Sequence, residues 1–159
     1  MRKLLLILSF VVLCFPINSN AEETILTISG KTDKTSTSSL EMTLSEFEAI
    51  DKSIIKTKTP WHKEKTTFSG VSGKALLEYL GAKATSVDAI ALNDYKVSIP
   101  VSDLSGSGLI FATRKDDVPM SVREKGPIFV IYPFDANESL KNEVIYGRSI
   151  WQIKTLNFK

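Results

Sequence analysis

The sequence predicts an α+β fold: a single, mostly-β domain with a few short helices. Short β-rich runs separated by Gly, Pro, Asn and Asp are the commonest pattern in the chain. Few segments have the periodicity of an amphipathic helix, and neither an internal repeat nor a long linker divides the chain. Residues 22–159 suffice for one compact domain with a sizeable core, whereas two domains would be crowded.

The N-terminal segment, residues 1–21, is predicted to be a secretory signal peptide. Two basic residues precede an unbroken apolar run over residues 4–15, and the small residues Ser19 and Ala21 occupy the cleavage-determining positions. The run is shorter than the roughly 20 residues that a membrane span requires. Cleavage after Ala21 would release residues 22–159 as one periplasmic domain.

The only cysteine, Cys14, lies within this predicted signal peptide. Its removal would leave a domain without a thiol, which excludes disulfides, thiolate catalysis and cysteine-ligated metals. Lipidation at Cys14 is the alternative, but bulky Leu13 precedes the cysteine where a small residue is usual. We therefore expect the fold to depend on its hydrophobic core alone.

Charge is balanced in the predicted mature segment. The chain carries 20 Lys and Arg residues against 18 Asp and Glu residues, and Arg2 and Lys3 belong to the signal peptide. A formally neutral domain lacks the global field that attracts nucleic acid or an anionic membrane. No second apolar stretch is long enough to span a bilayer. We expect no nucleic-acid partner and no membrane insertion after signal cleavage.

Strands are predicted where β-rich runs are bounded by turn residues. Asn93-Asp94 is expected to form a tight turn between two of them, because both side chains tolerate left-handed backbone and bond their own neighbours. The predicted strands cover residues 24–29, 40–44, 53–59, 89–92, 95–99, 109–113, 128–132 and 149–156.

Two helices are predicted from their capping residues. One runs over 72–80, where Ser72 can cap the N-terminus and Gly81 supplies the C-terminal stop. The other begins near Thr43, which has capping-box spacing to Glu46. The segment 31–39 is rich in Thr, Ser and Lys and is expected to be an exposed loop.

The standard catalytic constellations are absent from the sequence. The chain has one histidine, His62, and no Ser-centred nucleophile elbow, so neither a triad nor a His-rich metal site can be assembled. Asp116-Asp117 is expected to lie in a solvated turn instead of a metal site. The residues by themselves therefore indicate no particular enzymatic chemistry.

Aromatic and polar residues cluster where predicted strands begin or end. Each group taken alone has an ordinary explanation, since Trp61 and Trp151 suit packing and Arg123 and Lys125 suit solvation. The groups are 57–61 (TKTPW), 93–95 (NDY), 123–127 (REKGP) and 146–151 (YGRSIW).

These groups belong to an ordered set of segments that resembles the molybdopterin-binding domain of the sulfite oxidase family, in its small secreted bacterial form. The likeness extends from about Ser53 to the C-terminus and implies that family's fold. The segments are 68–82 (FSGVSGKALLEYLGA), 91–95 (ALNDY), 99–100 (IP), 123–128 (REKGPI) and 148–151 (RSIW).

The resemblance also shows two departures from the family. Its molybdenum is held by a cysteine thiolate on the segment that matches the strand ending at Trp61, where this chain offers Thr57, Thr59 and His62. A hydroxyl is a hard ligand and does not replace a soft thiolate. The family also tends to carry a lysine beside the cofactor phosphate, where this chain has Trp151. No molybdenum is therefore expected, and a pterin is expected as the ligand.

The resemblance implies a secreted, non-catalytic pterin-binding regulator that reports pterin to a membrane-bound cyclic-di-GMP enzyme. The expected partner is the periplasmic domain of a diguanylate cyclase or phosphodiesterase. In this interpretation the ring stacks on an indole, Asp94 receives its amino edge and the basic residues surround its carbonyl side. The predicted ligand-binding residues are Thr59, Trp61, Asn93, Asp94, Tyr95, Arg123, Lys125, Arg148, Ser149 and Trp151.

Two other functions remain open at the level of sequence. One is a molybdopterin-dependent oxidoreductase with an unusual metal ligand. The other is an interaction module that keeps the fold but binds no small molecule.

Overall fold

The computed structural model describes residues 22–159, so the predicted signal peptide over 1–21 lies outside the described residues. Within them, four α-helices span Leu44–Glu48 (α1), Gly73–Leu80 (α2), Val101–Gly106 (α3) and Glu143–Arg148 (α4). Ten strands span Thr24–Gly30 (β1), Leu40–Thr43 (β2), Ser53–Thr57 (β3), Thr66–Ser72 (β4), Ser86–Ala91 (β5), Lys96–Pro100 (β6), Ile110–Lys115 (β7), Val118–Pro119 (β8), Phe129–Ile131 (β9) and Ile153–Phe158 (β10).

The strands form two five-stranded sheets. The first has the order β2-β1-β10-β5-β6, and the second has the order β3-β4-β7-β8 with β9 also paired to β7. The first and last strands of the described chain, β1 and β10, lie side by side in parallel, with Thr27 opposite Thr155. The other strand pairs are antiparallel. No helix within residues 22–159 has both the length and the apolar character needed to cross a bilayer.

The main hydrophobic core lies between the two sheets. It joins side chains of the first sheet, such as Ile28, to side chains of the second sheet, such as Phe111, and it also takes in Leu76 of α2. A second, smaller cluster includes Phe68, Ala112 and Met120, which are all buried. Partly buried Trp61 packs against both clusters.

The elements that were predicted from local capping and turn chemistry are confirmed. Thr43 and Glu46 form the capping box of α1, with a 2.8 Å bond from the Thr43 N–H to Glu46 Oε2. Ser72 Oγ accepts a hydrogen bond from the Ala75 N–H in the first turn of α2, and Gly81 ends that helix with a φ of 59°. The turn between β5 and β6 places Asp94 at a φ of 65°.

Four of these helices and strands were not predicted from the sequence, and one of them, β8, has only two residues. Strand β4 contains Gly70, and glycine is depleted in strands, yet β4 lies between β3 and β7. Helices α3 and α4 have six residues each, so their periodicity is too short to detect.

Two further predictions are corrected. The last strand begins at Ile153 instead of residue 149, because 143–148 form α4 and Gln152 adopts a left-handed φ of 56°. The segment 31–39 is not uniformly exposed. Thr32 and Thr35 are buried there. Their hydroxyls bond to each other at 2.8 Å, so burial leaves neither hydroxyl without a hydrogen-bond partner.

Replacing Gly70 with alanine is expected to destabilise the fold by about 1–3 kcal/mol, the usual cost of overpacking. The new Cβ would collide with the Phe111 carbonyl oxygen and lie 2.7 Å from Cα of Ala112, and both atoms belong to the backbone of β7. Gly106→Ala is the matched control, because no atom lies within 4 Å of its added Cβ. Urea unfolding of both variants measures the difference; equal stabilities would contradict the prediction.

Candidate functional site

A cleft of about 460 Å³ opens where α4, the β5–β6 turn and the chain entering β10 meet the segment after β3. Its walls combine aromatic rings with a few polar groups. The lining residues are Trp61, Ala91, Asn93, Tyr95, Glu143, Tyr146, Gly147, Ser149, Ile150, Trp151 and Gln152.

Trp61 and Trp151 form a corner of the cleft. Their ring centroids lie 5.8 Å apart and their planes meet at 67°. Trp61 also makes edge contacts with Phe129 and Tyr146, at centroid distances of 5.5 and 6.2 Å. Such contacts fix ring orientation, so the corner is a preformed aromatic surface.

Thr59 holds Trp61 in place from outside the cleft. Its Oγ1 accepts a 3.3 Å bond from the Trp61 N–H and lies 2.8 Å from Nδ1 of His62. Asp135 fixes the start of the same segment by accepting from the Lys58 N–H at 3.1 Å. In the structure, Thr59 supports the turn that carries Trp61 and lies outside the lining of the cleft.

The pKa of His62 lies below its ordinary value of 6.5, because burial disfavours the imidazolium and Lys115 and Lys125 repel it. Its ring packs at 5.3 Å from the Phe68 ring, on the side of the second hydrophobic cluster. The environment thus favours neutral His62.

Backbone contacts hold Trp151 against β9. Phe129 and Trp151 form an isolated β-bridge, and the next residue, Gln152, donates its N–H to the Lys125 carbonyl at 3.1 Å. The Gln152 side-chain amide donates to the Val122 carbonyl at 2.8 Å. Lys125 also places its Nζ over the Trp151 ring, 4.2 Å from the centroid, in cation–π geometry.

Helix α4 supplies the wall opposite the turn. Asn142 Oδ1 caps the helix by accepting from Val144 and Ile145 N–H groups, which leaves Glu143 in the exposed first turn. At the other end, Ser149 is buried and its hydroxyl donates to the Ile145 carbonyl at 3.0 Å.

Arg148 points to α3 instead of the cleft. Its Nη1 lies 2.9 Å from Asp103 Oδ2, and the Tyr132 hydroxyl donates to the same oxygen at 2.9 Å. Burial, followed by the nearby Asp103 charge, raises the pKa of Tyr132 far above its ordinary value, so the phenol stays protonated. The three side chains anchor α4 to the rest of the fold.

Five of the ten predicted ligand-binding residues line the cleft: Trp61, Asn93, Tyr95, Ser149 and Trp151. The other five lie outside its lining.

Four of those outside are paired or packed elsewhere. Thr59 bonds to the Trp61 N–H, Lys125 lies over the Trp151 ring, Arg148 binds Asp103, and Asp94 forms a 2.8 Å ion pair with Lys154. The fifth, Arg123, is exposed in the short 3₁₀ turn Val122–Glu124.

Glu143, Tyr146 and Gly147 line the cleft but were missed as site residues. All three lie on α4, which was read as the approach to a strand. An N-cap asparagine followed by an acidic first-turn residue is a helix-start pattern, and it was the signal that could have found them.

The described residues do not offer a donor set that fits molybdenum. At the end of β3 and just after it, Thr57 Oγ1 accepts from the Asp135 N–H at 3.1 Å, and Thr59 Oγ1 is bonded to His62. Residues 22–159 contain no group of three or more His, Cys, Asp or Glu side chains placed to hold a metal ion. Neutral hydroxyls already engaged in hydrogen bonds are poor substitutes for a thiolate.

Stability is expected to fall as the pH drops from about 6.5, the unfolded pKa of His62, toward its lower folded value. In that window the unfolded chain binds a proton that the folded state resists, so unfolding becomes more favourable. The His62→Gln variant should show a flatter profile there. Carboxylates with lowered pKa values, such as Glu48, titrate at lower pH and leave this window undisturbed. Denaturation between pH 5 and pH 8 measures both proteins; identical profiles would refute the assignment.

The Arg148–Asp103 pair is expected to contribute to stability by holding α4. Arg148→Ala should lower the free energy of unfolding by about 1–2 kcal/mol, because it leaves the Asp103 carboxylate with only Tyr132 as a partner. This figure allows for solvent screening, since the Arg148 side chain is 26% exposed. A double-mutant cycle with Asp103→Ala, followed by urea unfolding, isolates the pair. Strictly additive losses would show that the two side chains do not support each other.

No family model and no curated protein matches the chain. Among solved structures, it is similar to the sulfane dehydrogenase SoxCD from Paracoccus pantotrophus, with 12% sequence identity and a TM-score of 0.59. The match covers 84% of this chain and 37% of that chain, so this chain spans little more than a third of its length. The likeness shows the fold alone and confirms the predicted class: a mostly-β α+β domain of the sulfite oxidase-type molybdopterin-binding kind.

Proposed function

We propose that residues 22–159 act as a non-catalytic pterin-binding protein of the periplasm, which reports pterin to a membrane-bound cyclic-di-GMP enzyme. The observation that carries the proposal is the corner formed by Trp61 and Trp151 in a cleft of about 460 Å³. Small-molecule sites fall in the range of about 300–1,000 Å³ and combine aromatic walls with a few polar groups.

A pterin ring matches this corner in shape. The ring is flat and aromatic, so it can stack on one indole while its edge meets the other, whose plane is turned by 67°. Each stack contributes about 1–3 kcal/mol by analogy with nucleobases on aromatic side chains.

The polar groups of the cleft complement the two edges of a pterin. Glu143, which lines the cleft, is the acceptor we assign to the amino edge in place of Asp94, which is paired with Lys154. On the carbonyl side, Asn93 can donate its amide N–H groups, since its Oδ1 already accepts from the Tyr95 N–H at 3.2 Å.

The chemistry of the lining favours binding over catalysis. The one histidine, His62, is absent from the lining, and its Nδ1 is bonded to Thr59. The lining contributes one carboxylate, so it offers no acid–base pair of the kind that hydrolytic or transfer reactions need. The Thr57 and Thr59 hydroxyls fit molybdenum poorly, which also favours binding over catalysis.

The affinity expected for a bare pterin ring also favours a reversible sensor. A ring of about a dozen heavy atoms at roughly −0.5 kcal/mol each gives about −6 kcal/mol, or tens of micromolar. The proposed partner is the periplasmic domain of a diguanylate cyclase or phosphodiesterase. Pterin-dependent co-purification with such a domain tests that part of the proposal separately.

The direct test is titration of residues 22–159 with neopterin and its reduced forms. Quenching of the two tryptophans should saturate with one ligand per domain, because both indoles line the cleft. Calorimetry gives an independent affinity. Absence of saturable binding by every pterin redox state would refute the proposal and favour an interaction module.

Filling the cleft is expected to abolish this binding without unfolding the protein. Gly147 lines the cleft and has no atom within 4 Å of an added Cβ, so the Cβ that Gly147→Leu introduces meets open space. Pterin affinity should fall at least about tenfold, while helix propensity favours Leu over Gly.

Gly106→Leu is the control for that variant, because Gly106 is equally open but lies in α3, outside the lining. It should bind pterin as the parent protein does. Unchanged affinity in a folded Gly147→Leu protein would place the ligand elsewhere.

A further inference from the structure

We propose that Glu143 makes the cleft selective for pterins with uncharged substituents and discriminates against pterins that bear a carboxylate or a phosphate. The proposal rests on the function proposed above and specifies its ligand class. It concerns a residue that the strand-end pattern of the sequence did not single out.

Glu143 is the only carboxylate among the lining residues, and the lining contains no Lys, Arg or His. The rest of the lining consists of indoles, phenols, amides, one hydroxyl, glycine and aliphatic groups. The cleft is therefore a mainly neutral surface with one negative charge at its edge.

The cations around the cleft are engaged elsewhere or lie outside its lining. Arg148 binds Asp103 at 2.9 Å, and Lys154 binds Asp94 at 2.8 Å. Lys125 covers the Trp151 ring and is absent from the lining. Among the described residues, Glu143 forms no ion pair, so its charge is not neutralised by the protein.

A carboxylate without a paired cation interacts differently with pterins that have uncharged substituents and with pterins that have anionic substituents. It attracts the amino and ring N–H donors that every pterin carries. It repels a second anion held on the same ring, and because Glu143 is exposed the solvent weakens this repulsion without removing it. Repulsion of the wrong ligand is a common source of specificity.

Two commercial pterins isolate the charge. 6-Hydroxymethylpterin and 6-carboxypterin share the ring and have similar size, but only the second carries an anionic substituent. The parent protein should bind the hydroxymethyl compound about tenfold more tightly at low salt. Added salt should reduce that ratio, because screening weakens repulsion between partly exposed charges.

The Glu143→Gln variant keeps the shape of the side chain and removes its charge. Affinity for both compounds is expected to drop with the loss of the charged acceptor, but their ratio should narrow to within about threefold. The ratio is the informative readout, since a purely structural role for Glu143 would weaken both ligands alike.

The outcomes are separable by calorimetry. Equal binding of the two compounds by the parent protein, or an unchanged ratio in Glu143→Gln, would overturn the selectivity while leaving pterin binding intact. A preference for 6-carboxypterin that Lys125→Gln abolishes would also overturn it, by showing that this cation reaches the ligand. Failure of both compounds and of neopterin to bind would instead refute the proposed function.

Discussion

The contact between Trp61 and Trp151 is the feature on which the candidate site depends. Trp61 follows β3 of the second sheet, whereas Trp151 precedes β10 of the first sheet, so their edge-to-face contact lies where the two sheets approach each other. Trp61 packs on both hydrophobic clusters as well. The same indoles therefore stabilise the fold and form the wall of the cleft, and their orientation exists before any ligand binds. A preformed wall lowers the entropic cost of binding.

Polar residues near the indoles serve mainly to hold irregular backbone in place. Thr59 fixes the turn that carries Trp61. Gln152, which follows Trp151, has a left-handed backbone, and its own side-chain amide holds it in place. Arg148 anchors α4 through Asp103. These backbone segments are neither helix nor strand at the indoles, so side-chain hydrogen bonds replace the regular ladder that would otherwise fix them. The side chains of Thr59, Gln152 and Arg148 thus support the backbone around the cleft.

The sequence revealed the features that depend on near neighbours. The capping box at Thr43, the ends of α2 and the turn at Asp94 each depend on interactions over a few residues, and all were predicted. The direction of Arg148 could not be predicted, because its partner Asp103 lies 45 residues away in the chain. Glu143 was missed because α4, with six residues, is too short for helical periodicity, so only its N-cap pattern indicates the helix.

The turn beneath Trp61 is held by a hydroxyl and an imidazole. Thr59 Oγ1 lies 2.8 Å from His62 Nδ1 and also accepts from the Trp61 N–H, so both contacts stabilise the turn that carries the indole. On the proposed function, a ligand would lie beside exposed Asn93, Tyr95 and Glu143, so occupancy would change the protein surface directly. A partner could then read the bound state without any rearrangement of the two sheets.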